Sequence, residues 1–196
     1  MDTSRPSTVY TRLQRIAELA RHAPDMVFTT LFHHVDMELD ARGVSAHAQG
    51  RSGWAWTGRT RKRTRRTWRA TSRRLLGRFK SGHVPRPPVR RVHIPKGDGS
   101  QTRPIGIPTF GDKVLQRAVA MLLEAVYEQD FLDCSYGFRP GRSAHGALDA
   151  VCEAHHVDGW GVGLEVDLRK FFDTLEHSPR ADMLSQRVRD GVVTRT

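Results

Sequence analysis

Gly163-Leu164-Glu165-Val166-Asp167-Leu168-Arg169-Lys170-Phe171-Phe172-Asp173 is the stretch on which the reading of this 196-residue chain turns. An apolar, partly β-branched run carries a carboxylate near its end and is followed at once by basic and aromatic residues, the pattern of a strand that delivers an acid to a site. The pattern predicts a strand over Trp160 to Leu168 with Glu165 and Asp167 on one face. Asp167 then has two readings. It either caps a helix that starts near Arg169, or it is a ligand of a hard cation such as Mg2+, which takes oxygen ligands and commonly binds one or two carboxylates together with substrate phosphates.

Working outward, Ser178-Pro179 predicts a helix through Met183, Leu184 and Val188. Upstream, Ser143 is a helix cap for a segment through Leu148 and Val151 that ends near His155-His156. Before it lies the loop Phe131 to Arg142, where Tyr136, Phe138, Arg139 and Arg142 put aromatics beside arginines, a composition suited to stacking on bases and pairing with phosphates. Gly111 to Asp130 is the cleanest helix: Leu115, Ala118, Val119, Leu122, Leu123 and Val126 form one apolar face, which reads as core. Asp98-Gly99 supplies hairpin turn chemistry between Val89–Ile94 and Arg103–Ile107. That hairpin carries Arg90, Arg91, Lys96 and Arg103, cations expected over a cleft. Nearer the start, Leu13, Ile16, Ala17 and Ala20 predict a helix. A second is expected after Pro24-Asp25, through Phe28, Leu31, Phe32 and Val35 toward Leu39. His33 and His34 are adjacent and point apart on such a helix, so they do not chelate together.

The net charge of +11 invites a polyanionic partner. It is unevenly placed: residues 41–97 hold 17 of the 32 Lys and Arg and no acid, so the rest of the chain is net acidic. Cys134 and Cys152 form neither a disulfide framework nor a zinc spacing, and no apolar run suits a signal peptide or a bilayer span, so a cytoplasmic, non-membrane protein is expected.

Arg91-Val92-His93-Ile94-Pro95-Lys96, Arg103-Pro104-Ile105-Gly106-Ile107-Pro108, Ser135-Tyr136-Gly137-Phe138-Arg139-Pro140-Gly141-Arg142-Ser143-Ala144-His145 and Val166 to Asp173 occur in that order. The series resembles the reverse transcriptase domain of the group II intron-encoded reverse transcriptase/maturase family, over about Thr8 to Asp40 and again from about Leu75 to Val192. The Tyr136 to Ser143 run is its most specific part. The resemblance implies an α+β fold, a partial reverse transcriptase fingers and palm with N-terminal helices, a finger β-hairpin and the first palm strand. Residues 1–40 would be a helical extension that helps grip RNA, and 75–196 the fingers and the start of the palm. It further implies RNA-directed DNA polymerase activity with Mg2+, and as partners an RNA (a group II intron or a template), a DNA primer and dNTP. Carried over residue by residue, Asp167 is catalytic and metal-binding, with the Leu168 backbone facing the metal. Lys96 and Arg103 contact the triphosphate, and Phe172 lies against the sugar. Arg90, Arg91, Tyr136, Arg139 and Arg142 contact nucleic acid. No aromatic-x-Asp-Asp follows in these 196 residues, so the expectation is a truncated amino-terminal part, inactive alone. The alternatives are a non-catalytic RNA-binding module or a degraded remnant.

Residues 41–74 depart from the family. Arg61-Lys62-Arg63-Thr64-Arg65-Arg66 with Trp54, Trp56 and Trp68 reads either as an RNA-binding arm or as a disordered basic linker. A third reading is testable in the DNA. Trp54-Ala55-Trp56-Thr57-Gly58 is encoded TGG GCN TGG ACN GGN, which two bases later reads Gly, then Val, Leu or Met, then Asp, then Gly, Arg or Trp. Relatives carry a Gly-Val-Asp-Gly turn here, so the segment is expected to be translated out of frame between two compensating shifts.

Overall fold

The computed structural model describes residues 8–36, 39, 61–81, 88–95, 97, 99, 101–158, 163–169 and 171–194. Six helices and one hairpin are present among them: α1 (Thr8–His22), α2 (Arg61–Lys80), β1 (Arg90–Pro95), β2 (Thr102–Ile107), α3 (Phe110–Tyr127), α4 (Ala144–Asp158), the single turn α5 (Phe171–Thr174) and α6 (His177–Ser185). This is the α+β composition expected.

The centre is α3. Leu115, Ala118, Val119, Leu122 and Val126 recur every three or four residues and are buried as one stripe, with Leu123 half-buried at its margin. The helix starts sharply because Thr109 and Asp112 form a reciprocal cap: the Thr109 hydroxyl accepts from the Asp112 N–H at 3.3 Å, and the Asp112 carboxylate accepts from the Thr109 N–H at 3.3 Å. Helices α1 and α2 pack on α3. α1 buries Val9, Ile16 and Ala20, and α2 buries Leu76 and Phe79. Each large side chain buried in this way contributes roughly 1.5–3 kcal/mol of apolar transfer. Helix α2 begins at Arg61, inside the basic segment, so helical backbone reaches well upstream of the Leu75 boundary drawn from sequence.

Over residues 26–36 the second helix expected after Pro24 does not form, although Leu39 is helical. Phe32–His34 is one 3-10 turn, and Phe28 instead makes an isolated parallel bridge to Val188, the Phe28 N–H donating to the Arg187 carbonyl at 2.8 Å and the Arg189 N–H to the Phe28 carbonyl at 2.9 Å. Phe28, Leu31, Val35 and Leu39 are still the buried residues of the segment. The pattern was that of a core strip, but the backbone groups that a helix would have paired internally are claimed from outside.

Two charged side chains make those claims. The Arg187 guanidinium, 9% exposed, pairs with Asp130 at 2.8 Å and donates to the carbonyls of Ala20, Ala23, Pro24 and Met26, so it satisfies the end of α1 and the turn after it. The Asp190 carboxylate, fully buried, accepts from the N–H groups of Leu31 and Phe32 at 2.6 and 2.7 Å through one oxygen and from Val192 and Val193 at 2.9 and 3.1 Å through the other. Burial alone would push the Asp190 carboxyl up, yet the four backbone donors outweigh it and hold the group below the usual carboxylate range. Residues 187–193 thereby act as a clasp on residues 20–32.

The region from residue 131 to 175 is built differently. α4 leaves Leu148 and Val151 exposed, and 163–168 form no strand. This corrects the predicted palm strand over Trp160 to Leu168, of which residues 163–168 are described: Leu164, Val166 and Leu168 are 90%, 75% and 65% exposed. Strand backbone is stable when its N–H and C=O groups pair with a neighbour, and the described residues provide no strand alongside. α6 starts at His177 after Glu176, one residue before the predicted Ser178 cap, and the Tyr127 hydroxyl fastens it to α3 by donating to the Leu184 carbonyl at 2.9 Å.

Candidate functional site

Turn chemistry produces the hairpin as expected, with Gly99 at φ +72°. The register pairs Arg90 with Ile107, Val92 with Ile105, Ile94 with Arg103, and on the alternate positions Arg91 with Gly106, His93 with Pro104 and Pro95 with Thr102. Side chains alternate across a strand, so Arg90 and Arg103 share the face that carries Val92, Ile94, Ile105 and Ile107. Arg91 shares the other face with His93. The four-cation cluster expected over one cleft is therefore divided: Arg90 and Arg103 lie together in the sense of face, Arg91 lies behind them, and Lys96 is outside the described residues. Arg90, Arg91 and Arg103 are all exposed.

In the loop after α3 the two arginines part company. The Arg139 side chain is only 7% exposed. Its Nε and Nη2 pair with the Glu128 carboxylate at 3.1 and 2.9 Å, its Nη1 donates to the carbonyls of Leu132 and Ser135 at 2.8 Å each, and its guanidinium lies 5.0 Å from the centre of the Phe131 ring. Arginine has five N–H donors, and four are spent here. Arg139, expected as a phosphate partner, is a brace for the loop. Arg142 keeps more freedom: it sits 5.2 Å from the Tyr136 ring centre and pairs at 3.0 Å with the fully exposed Asp133, a surface contact of the kind worth at most about 1 kcal/mol. Ser143 caps as expected, its hydroxyl accepting from the Gly146 N–H at 3.0 Å.

Asp167 and Leu168 are exposed in the irregular segment 163–168, and Phe172 falls in the single turn α5, next to the exposed Phe171. Among the described residues no group of three or more His, Cys, Asp or Glu side chains is close enough to hold a metal ion. Asp167 is a solvent-facing carboxylate that could supply one oxygen ligand, and a divalent-cation site needs several more than the described residues place around it. Sequence reasoning missed Arg187 and Asp190 altogether. Both stand in the charged run Arg187-Val188-Arg189-Asp190, which reads as surface.

The sequence pattern of the reverse transcriptase (RNA-dependent DNA polymerase) family matches residues 94–188. The chain is 37% identical over 118 residues to the group II intron-encoded protein LtrA of Lactococcus lactis subsp. cremoris, covering 60% of this chain and 19% of LtrA. It is 41% identical over 115 residues to protein YkfC of Escherichia coli (strain K12), covering 57% of this chain and 30% of YkfC. It is also 43% identical over 84 residues to the mitochondrial nuclear intron maturase 2 of Arabidopsis thaliana, covering 43% of this chain and 11% of that protein. The matched region is thus a reverse transcriptase domain in part. The match and these relatives support the group II intron-encoded reverse transcriptase/maturase family, and the chain spans less than a third of the length of these relatives. That family implies a divalent cation and a nucleic-acid partner. Among the described residues no helix is long and apolar enough to cross a membrane.

Proposed function

We propose that this polypeptide is the amino-terminal part of an RNA-directed DNA polymerase and intron maturase: residues 1–40 an RNA-gripping extension, 75–196 the fingers and the start of the palm. The observation that carries the reading is the order of the hairpin's second strand, the Tyr136 to Ser143 loop and the Asp167 stretch inside one matched span, residues 94–188. Its working partners would be a group II intron or template RNA, a DNA primer and dNTP. Lys96 and Arg103 would meet the triphosphate, Arg103 from the hairpin face that also carries Arg90. Phe172 would lie against the sugar, and Tyr136 and Arg142 would meet the nucleic-acid strand, with Arg139 holding their loop in shape. Asp167 would contribute one carboxylate for Mg2+, the ion that in such enzymes compensates charge on the reacting phosphates. A cytoplasmic setting suits the exposed, unpaired Cys134 and Cys152.

A polypeptide of these 196 residues is expected to bind RNA without polymerising dNTP. A specific observation favours this non-catalytic reading: Arg61, Lys62, Arg63, Arg65, Arg66 and Arg69 lie in the first half of α2, a continuous helix carrying a dense positive charge. Primer extension on an RNA template with Mg2+, using D167A as control, tests the proposal. The expected result is salt-sensitive RNA binding that survives D167A and no incorporation by either chain, and D167A-sensitive incorporation would show that the polypeptide is active by itself. If residues 41–74 are translated out of frame between two compensating shifts, the basicity of the first part of α2 is accidental. The nucleotide sequence, read in the alternate frame, should then encode an amphipathic helix running into Leu75.

A further inference from the structure

Phe138 combines two properties that rarely coincide. Its φ is +57°, and among the described residues it is the one non-glycine residue in the left-handed region. Its side chain is also fully exposed, at 108% of the reference area. Left-handed backbone is costly for a residue with a Cβ, and held strain of this kind clusters at ligand clamps. Here no burial offsets it. The neighbours show what holds it: Arg139, locked onto Glu128 and the carbonyls of Leu132 and Ser135, fixes the backbone one residue on, and Gly141 at φ +72° turns the chain back. Of the three aromatics in this loop, Phe131 and Tyr136 each carry an arginine over the ring, whereas Phe138 presents its ring to solvent.

We infer that Phe138 is a stacking platform for an unpaired base of single-stranded RNA, displayed by a strained turn that Arg139 braces. The inference rests on the nucleic-acid reading above and deepens it. An exposed ring face accepts any base, and Arg142, four residues on, over the Tyr136 ring and ion-paired with the solvent-exposed Asp133, is a cation that a phosphate can take over. Recognition at this point is therefore of an unstacked base, whatever its identity.

The test is binding of the 196-residue chain to a labelled single-stranded RNA by fluorescence anisotropy, alongside thermal unfolding. F138A is expected to weaken binding about tenfold, within the range for loss of one base–aromatic stack, and F138W to retain it. The decisive variant is F138G, which removes the ring and relieves the backbone: it should bind as weakly as F138A while its unfolding midpoint stays level or rises. Parent-like binding by F138A, or a lower midpoint for both variants, which would mark Phe138 as a packing residue, overturns the inference. If the parent chain itself fails to bind RNA at low salt, the nucleic-acid reading falls and this inference with it.

Discussion

The clasped helical core and the 131–175 limb obey different rules. In the core, α3 buries a continuous apolar stripe against α1 and α2, and the polar groups that cannot be avoided are paired: Arg187 on four carbonyls and Asp130, Asp190 on four N–H groups. In the limb, Leu148, Val151, Leu164, Val166 and Leu168 are exposed, and the Arg139 side chain is spent on bracing its own loop. The residues that hold the fold and the residues proposed to meet substrate therefore sit apart. The chemistry-bearing positions Asp167 and Phe138 are exposed and Arg142 is part-buried in its loop, all outside the buried core.

The largest effect expected is at the clasp. D190A leaves the N–H groups of Leu31, Phe32, Val192 and Val193 without their acceptor, and a buried donor left unsatisfied costs about 1–3 kcal/mol. With partial relaxation the loss should be roughly 3–5 kcal/mol of unfolding free energy, measured by urea denaturation. A loss under about 1 kcal/mol would show that residues 20–35 do not depend on the clasp.

A smaller effect is expected from pH. Burial, then the neighbouring His33, whose ring centre lies 3.9 Å away, then Arg12 hold His34 below its ordinary value of 6.5. The folded state therefore binds fewer protons than the unfolded one. The stability from this group is present above pH 6.5 and falls as the pH drops below it, while H34Q flattens that part of the profile. The contribution of Asp190, whose folded value is also depressed, is present above the unfolded carboxylate value of about 3.9 and is lost at still lower pH. A midpoint that rose on acidification from pH 7 to 5.5 would contradict the His34 assignment.

The smallest effect belongs to the limb. V166S and L168S change surface that is already in solvent, so the unfolding free energy should move by no more than about 0.5 kcal/mol. A loss above 1 kcal/mol for either would show that this segment packs on something in solution and would erase the distinction between the two regions.

Much of this was legible in the sequence because it is local. The α3 stripe follows from helical period, the hairpin from its turn residues and the α4 start from Ser143. The family follows from short motifs in a fixed order. The Thr109–Asp112 cap was equally local and was passed over. The site was less legible. Lys96 and Phe172 have the residue types the reading asks for, but whether Arg90, Arg91 and Arg103 look the same way is a matter of register. The register sends Arg91 to the other face.

The amino-acid order by itself determined which segments are apolar on one side, where turns and caps fall, and which family the chain resembles. Tertiary structure alone decided that Phe28 to Val35 is not a helix, that Arg139 is spent on its own loop, and that residues 163–168 are not a strand. Backbone conformation is settled by where its hydrogen bonds end. The partners that settle residues 20–32 stand more than 150 positions away, at Arg187 and Asp190, beyond the reach of any local pattern.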